Sequence, residues 1–282
     1  MKKLIIILGV VGAAFSAIFV RMSTLPSVVL VFYRMLFAVI GIAPGLLLGA
    51  NQELKTLTFG KIKYCILSGI CLGFHFICYF ESLSYTSIAS SVVLVDTEIF
   101  FVAIASIFLF KEKQTWLEWL AIAVTFIGSM IVAGGDLANG NVLGDLLALS
   151  GAVFVSVYTM IGRKIRKDMS TTVYTSIVYS CAGIVALIFT LVKGYSLAIG
   201  GTNNWIAAIG ITIFSTMLGH SIFSWGLKYE KASFVAVAKL LEPVFASILG
   251  LMIFKEMPSL TSCLGGVLII IGICAYSLRR NP

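Results

Sequence analysis

Apolar residues run through this chain in ten long blocks, each near the roughly 17–25 residues that cross a bilayer as one helix. The blocks fall at 4–21, 27–49, 62–81, 87–110, 115–134, 143–162, 171–192, 205–226, 232–254 and 260–278. Between them stand Pro26, Asn51-Gln52, Gly134-Gly135, Asn139-Gly140-Asn141, Gly200-Gly201 and Pro258, residue types that stop helices and turn the chain. The connections at 82–86 and 227–231 are so short that the helices they join must be antiparallel neighbours. The pattern predicts an all-α polytopic membrane protein with ten transmembrane helices.

The pattern also repeats. Phe110-Lys-Glu112 returns 144 positions later as Phe254-Lys-Glu256. At the same offset Leu83 falls on Leu227, Tyr85 on Tyr229, Glu98 on Glu242, Leu120 on Leu264 and Gly128 on Gly272, with no gap. Apolar matches are cheap in such a chain, but a glutamate in mid-span is not. The period is too long for a solenoid. The expected division is residues 1–139 and 140–282, five spans in each. Five is odd, so the second unit enters the membrane with reversed orientation, giving an inverted 5+5 structural repeat. Such a pair has two nearly equivalent conformations, one open to each side. The opening Met-Lys-Lys and the apolar Leu4–Ala14 imitate a secretory signal. Gly12-Ala-Ala-Phe15 nevertheless returns as Gly151-Ala-Val-Phe154, so the segment reads as part of the repeat.

Composition narrows the class further. The chain is 60% hydrophobic and 11% charged, against about 25% charged for a soluble domain, and its mean hydropathy is +1.06. No polar stretch is long enough to fold as a separate soluble domain. With the N-terminus inside, Lys2, Lys3, Lys55, Lys61, Lys63, Lys111, Lys113, Arg163, Lys164, Arg166, Lys167, Lys228, Lys231, Arg279 and Arg280 are cytoplasmic, and only Arg21, Lys193 and Lys255 are outside. This asymmetry predicts a multi-pass protein of the cell inner (plasma) membrane with both termini cytoplasmic. It also accounts for the net charge of +8 without a nucleic-acid partner. Cysteines 65, 71, 78, 181, 263 and 274 lie in apolar runs with no CxxC or His/Cys ligand spacing, and read as small buried thiols with no metal. No GxxxxGK[ST] motif occurs, so neither ATP nor any cofactor is expected.

Several stretches then resemble one family. The second half carries Gly219-His-Ser-Ile-Phe-Ser-Trp-Gly-Leu-Lys-Tyr229, Glu242-Pro243 and Phe254-Lys-Glu256; the first carries His75-Phe76, the run Ser82–Leu94 and Phe110-Lys-Glu112. These are similar to the EamA-type members of the drug/metabolite transporter superfamily, over essentially the whole chain. The resemblance implies ten helices, inverted repeats and a central cavity lined mainly by spans 1–4 and 6–9. One position departs from the pattern. Ile99 stands where a proline often follows the polar residue of span 4, so the residues give no cause for a kink there.

Charged residues inside spans are costly, about 2.5–3.5 kcal/mol each on insertion scales, and are seldom idle. Arg34, eight residues into span 2, reads as a cavity residue or as an arginine that snorkels or pairs with a carboxylate. Lys239 and Glu242 are three apart, share a helix face and form a local pair on this reading. Pro243 removes a backbone donor and clashes with the Lys239 carbonyl, which predicts a helix kink. Glu98 has Val95 where Lys239 would be, so Arg34 is its expected partner. Asp96 lies about 200° around a continuous helix from Glu98, so both cannot face one cavity, and Glu98, which the repeat retains, is the one expected there.

His75 and His220 occupy equivalent spans, either as packing residues or as titratable groups in each half. Tyr79 lies one turn beyond His75, and Trp225 one turn beyond Ser221. With Tyr33, Phe76, Tyr179 and Phe223 they suit an aromatic lining that stacks a flat solute or an organic cation. The Phe-Lys-Glu triplets, at span ends, are expected to cap helices and anchor loops.

The expected function is a secondary transporter, a carrier or facilitator with export the favoured direction. It would move a small organic metabolite or drug-like solute by alternating access through a central cavity. Partners would be the solute, the lipid bilayer and protons as coupling ion, and the assembly a monomer or homodimer. The rival readings are an intramembrane enzyme, a flippase for a lipid-linked substrate using the same cavity, and a channel. The enzyme is disfavoured because adjacent His220 and Ser221 point about 100° apart and cannot form a nucleophile–base pair, and no HExxH occurs. A channel favours symmetry about an axis normal to the membrane, not an inverted pair.

Overall fold

The structure, a computed structural model, describes all residues except 86–87, 134–141, 256, 258 and 279–282. The expected stops at Gly134-Gly135, Asn139-Gly140-Asn141 and Pro258, the second triplet's Glu256, and the basic Arg279 and Arg280 lie outside the described residues. Every regular element among the described residues is helical, as a bilayer requires, since each backbone donor and acceptor must be satisfied within its own segment. Helix α1 spans Lys2–Met22; α2 spans Ser27–Gly45 and continues through a π-helical turn and a short helix to Lys55; α3 spans Phe59–Ser82. The fourth is in two pieces, α4a (Ile88–Asp96) and α4b (Glu98–Phe110), followed by α5 (Trp116–Ala133). Helix α6 spans Val142–Ile165 and α7 Thr171–Val192. Helix α8 runs Thr202–Gly226 with π-helical geometry over Ile211–His220; α9a is Ala232–Lys239, α9b Glu242–Phe254, and α10 Leu260–Ser277. Among the described residues nine segments are long and apolar enough to cross a membrane, and the Trp116–Val132 stretch of α5 is a shorter apolar tenth.

The helices pack as two interlocked sets. Helix α1 meets α8 and α9, as α6 meets α3 and α4; α2 meets α8, as α7 meets α3. Helices α2 and α7, α4 and α9, and α5 and α10 meet each other directly. This neighbour list maps onto itself when every helix is exchanged for the one five places away, as a two-fold relation between five-helix halves requires. Helix α1 is embedded in this packing, against α8 and α9b.

The α5–α10 seam makes the relation visible in single atoms. A Cβ added at Gly128 would come 2.8 Å from the Gly265 carbonyl oxygen, and one added at Gly272 would come 3.0 Å from that of Ala121. Residues 128 and 272, and 121 and 265, differ by 144, so the seam is one contact made twice. Small residues here let two backbones approach where lipid supplies no hydrophobic drive.

Both Phe-Lys-Glu lysines end their helices in the left-handed region, Lys111 at φ 56° and Lys255 at φ 59°, the usual geometry of a helix C-cap. The expected capping role is found there. Glu112 then anchors its loop to the other half through an ion pair with Arg163 at 2.8 Å.

Two large clusters of buried apolar side chains dominate the interior, one around Ile99, Ile122, Phe234 and Ile269, the other around Leu72, Phe76, Tyr158 and Tyr174, with a small third at Val28, Val29 and Ile77. Large apolar side chains such as Leu48 and Phe108 point outward, where only lipid makes them tolerable. The cysteines depart from expectation. Cys65 and Cys71 are buried, but Cys263 and Cys274 lie on the outward face of α10, since an apolar run in a membrane protein does not imply an interior position.

Both broken helices turn in the same way. Thr97 N donates to Leu94 O at 3.3 Å and Phe100 N to Thr97 O at 3.0 Å; 144 residues on, Leu241 N donates to Ala238 O and Val244 N to Leu241 O, both at 3.1 Å. The chain tightens into i→i−3 bonds at each break. In α9 Pro243 enforces this, as expected. In α4, where no proline stands, the Thr97 hydroxyl donates to Leu94 O at 2.6 Å and takes up the carbonyl that the break exposes. Span 4 is therefore kinked despite Ile99.

Candidate functional site

Between the two apolar clusters, where both broken helices pass, lies a cavity of about 420 Å³. That is within the size range of small-molecule sites. Its walls come from α1 (Ala13, Ser16), α2 (Arg34), α3 (His75, Phe76, Tyr79, Phe80), α4 (Val92, Val95, Asp96, Glu98), α5 (Val132), α6 (Val155), α8 (Ser215, His220, Phe223) and α9 (Lys239, Glu242, Pro243, Ala246, Ser247). Of the expected residues Arg34, His75, Tyr79, Glu98, His220, Lys239, Glu242 and Pro243 are brought together here. Trp225 is not among the lining residues; it packs on Tyr229 with ring centroids 4.8 Å apart. Tyr33 and Tyr179 also point elsewhere, Tyr33 to the Leu197 carbonyl and Tyr179 to the Ser221 hydroxyl at 3.0 Å. Helix α7 supplies none of the described lining.

The charge partners differ from those expected. Lys239 Nζ lies 2.8 Å from Glu98 Oε1, an ion pair that joins the two halves, and not against Glu242. The i, i+3 rule holds for a continuous helix, but the turn at Leu240-Leu241 separates Lys239, the last residue of α9a, from Glu242, the first of α9b. The Glu242 side chain makes no hydrogen bond or ion pair among the described residues.

Arg34 is not the partner of Glu98. It is fully buried; its Nε donates to Thr216 Oγ1 at 2.7 Å and its Nη2 to Ser215 Oγ at 3.1 Å, while its guanidinium lies 4.1 Å from the centroid of the Phe76 ring. The π-helical stretch of α8 brings both hydroxyls to one arginine. Such stretches widen the turn and are frequent at functional sites. Ser215 and Thr216 were not legible as site residues; two hydroxyls in an apolar run are the only trace they leave in the sequence.

Asp96 also lines the cavity, contrary to expectation, and its Oδ2 accepts from the Ser129 hydroxyl at 2.8 Å. The 200° separation from Glu98 belongs to an unbroken helix, and the turn at Thr97 cancels it.

The histidines take different roles. His75 Nδ1 donates to the Gly151 carbonyl at 3.0 Å, fixing α3 against α6, and its ring stacks on Tyr79. The Nδ1 of His220 is buried and has no partner among the described residues, and the same is true of Glu98 Oε2. The His220 ring stands edge-on to Phe76 at 5.1 Å. Arg34 lies over Phe76, and Lys239 over Phe223 at 5.6 Å, so the two cations sit on two aromatic faces either side of His220. The lining thus offers paired and unpaired charges, two open polar atoms and flat rings. It has the elements for binding a small polar organic molecule.

Comparison with known proteins agrees with this architecture. A crystal structure, 20% identical in sequence, superposes with a TM-score of 0.84 over 98% of this chain and 97% of that one. The uncharacterized transporter YxxF of Bacillus subtilis is 24% identical over 99% of this chain and 89% of its own length. The pseudopaline exporter CntI of Pseudomonas aeruginosa is 24% identical over 92% of this chain and 89% of its own length. The model of the EamA-like transporter family matches twice, at residues 2–134 and 142–278, one match for each set of five helices. With both halves matched and its relatives named as transporters and not enzymes, this multi-pass membrane protein belongs to the EamA-like transporter family.

Proposed function

We propose that the protein is a secondary carrier that exports a small organic solute by alternating access, with the cavity between the broken helices as its solute site. The observation that carries this reading is the position of the cavity. It lies where the two repeat-related breaks meet, so a rearrangement of one half against the other would change its exposure from one side to the other. The units that move are taken as residues 1–139 and 140–282. A relative named as an exporter supports the direction. The 15-to-3 placement of basic residues supports cytoplasmic termini in a plasma membrane.

Counterflow tests the reading. Purified protein in liposomes is expected to give saturable solute exit, accelerated by the same solute on the opposite side; exit without that acceleration would indicate a channel. Orientation is tested by single cysteines at Lys167 and Lys193 in a background without the six native cysteines. An impermeant thiol reagent on intact cells is expected to label position 193 and spare 167, and the reverse pattern would overturn the orientation.

A further inference from the structure

The cavity lies toward one end of the bundle, and the other end is tied shut by polar contacts between the halves. On α3 the lining runs from His75 to Phe80, close to the helix end at Ser82; α5 contributes Val132, next to its last residue, and α2 contributes Arg34, in its first half. Successive helices run in opposite directions, so these positions share one end. Phe223, late in α8, is the exception, and it lies against the Lys239 ammonium at the break of α9. At the opposite end the connection from α4b to α5 is bound to the second half. Arg163 of α6 donates to Glu112 Oε1 from Nε at 3.0 Å and from Nη2 at 2.8 Å, and its Nη1 donates to the Leu227 carbonyl at 2.9 Å. Lys231, just before α9a, pairs with Glu118 at 3.2 Å. Gln114, Ser233 and Tyr276 close a ring of three hydrogen bonds, at 2.9, 2.7 and 3.0 Å.

The repeat gives these contacts to one end only. At the offset of 144, Glu118 falls on Ser262, Lys231 on Ser87, Gln114 on Pro258, Ser233 on Ala89 and Tyr276 on Val132. Gly12 and Gly151 set the offset between α1 and α6 at 139, which puts Arg163 on Thr24. The equivalent residues at the cavity's end therefore cannot rebuild either ion pair or the ring when the halves exchange roles. One ion pair between the halves does stand at that end, Lys193–Glu81 at 2.7 Å, but it joins α3 to α7, which supplies none of the described lining. Its side chains are 39% and 24% exposed, against 14% and 12% for Arg163 and Glu112, and exposure to water weakens such a pair.

An interaction formed in only one of two states shifts the balance between them by its full free energy. We propose that Glu112–Arg163, Glu118–Lys231 and the Gln114–Ser233–Tyr276 ring are a latch that holds their end shut, so that the empty carrier rests with its cavity facing the other end. The latch rests on the reading of the protein as an alternating-access carrier, and on the orientation proposed above it is cytoplasmic. An exporter must break it to load solute from the cytoplasm. These residues therefore govern loading while touching no solute.

Thiol labelling of the purified protein tests the latch without a solute. Ser106 Oγ meets Met160 Sδ at 3.9 Å, between Glu98 and Glu112 on α4b and between Val155 and Arg163 on α6, so the contact lies between cavity and latch. In a background without the native cysteines, Ser106→Cys reports opening of the latched end, and Ala246→Cys, in the lining, opening of the other. With the latch intact, N-ethylmaleimide is expected to label position 246 faster than 106. Arg163→Gln combined with Lys231→Gln should raise labelling at 106 about tenfold, the scale of one charge-assisted hydrogen bond, without raising it at 246. Glu112→Gln, which removes one pair from its other side, should give a smaller rise, and Arg163→Lys, which keeps the charge, a smaller one still. Melting temperatures identify the folded variants, and Glu112→Gln carries the test if the double variant does not fold. A rise at both positions would mean general loosening, and no rise at 106 in the folded variants would mean that the contacts serve only the fold; either result overturns the latch and leaves the carrier reading standing. Absence of counterflow in the parent would remove the carrier reading itself, whatever the labelling.

Discussion

The break in α4 and the break in α9 share a backbone and differ in chemistry. Their turn hydrogen bonds correspond one for one at an offset of 144. Yet α9 has Pro243 and α4 has Ile99; α9 has Lys239 and α4 has Val95; Glu98 is paired and Glu242 is not. Backbone shape at the centre of the molecule is therefore set by both halves alike, whereas charge is distributed unequally between them. The lysine of the second half neutralises the glutamate of the first, and its own half's glutamate is left facing the cavity.

The largest expected effect breaks that asymmetry. Lys239→Gln would leave Glu98 buried without a counter-charge, a loss of about 3–5 kcal/mol, to be read as a marked fall in melting temperature and in folded yield. Adding Glu98→Gln should recover most of the melting temperature but not the flux. Glu242→Gln, by contrast, should stay within about 1 kcal/mol of the parent, because it breaks no contact among the described residues, while abolishing transport. Equal losses of stability from the lysine variant and from Glu242→Gln would mean that the lysine serves both glutamates.

A contact that the repeat keeps in both halves gives the control. Gly128→Ala and Gly272→Ala should each destabilise by about 1–3 kcal/mol, since each added methyl meets backbone of the facing helix. Gly272→Ala should cost the more, because its methyl also meets the Thr125 hydroxyl, where the equivalent neighbour of Gly128 is Ile269. In a Thr125→Ala background the two values should draw together; a wide gap persisting in thermal melts would show that the backbone contact is not made twice.

Smaller effects separate the two ways of making a break. Thr97→Val removes one side-chain hydrogen bond to the exposed Leu94 carbonyl and should cost about 1 kcal/mol. Pro243→Ala should shift stability by less than about 1 kcal/mol, because α4 shows that the same turn forms without proline. Retained flux in Pro243→Ala and reduced flux in Thr97→Val, measured by counterflow, would place the burden on the hydroxyl; a dead Pro243→Ala would return it to the ring. The least effect is expected from Trp225→Ala, whose ring lies outside the cavity. Its flux should match the parent, and a tenfold loss would put Trp225 back in the solute path.

The sequence disclosed the fold more fully than the site, for a physical reason. Lipid forces each span to declare itself as an apolar run, and duplication declares itself in the spacing of Glu98 and Glu242 or of Lys111 and Lys255. Side-chain partners follow no such rule once a helix breaks. The expected pairing of Lys239 with Glu242 and the expected exclusion of Asp96 both used the geometry of a continuous helix across a turn that interrupts it. The break at Thr97 was hidden because a threonine hydroxyl can do what proline does and is far less conspicuous. Arg34 was legible as a costly buried charge, but the hydroxyls of Ser215 and Thr216 that hold it depend on the wider turn of α8, which leaves no pattern in the residues.

The doubled contact between α5 and α10 has a consequence for the equilibrium between conformations. In a carrier whose halves exchange roles, a contact that is its own image under that exchange has the same energy before and after. An interaction equal in two states shifts neither. The glycine seam can thus be as strong as folding demands without favouring either side of the membrane. Whatever preference the resting protein has must come from the few places where the halves disagree, and among the described lining residues Val95 opposite Lys239 and Asp96 opposite Leu240 are two such disagreements in charge.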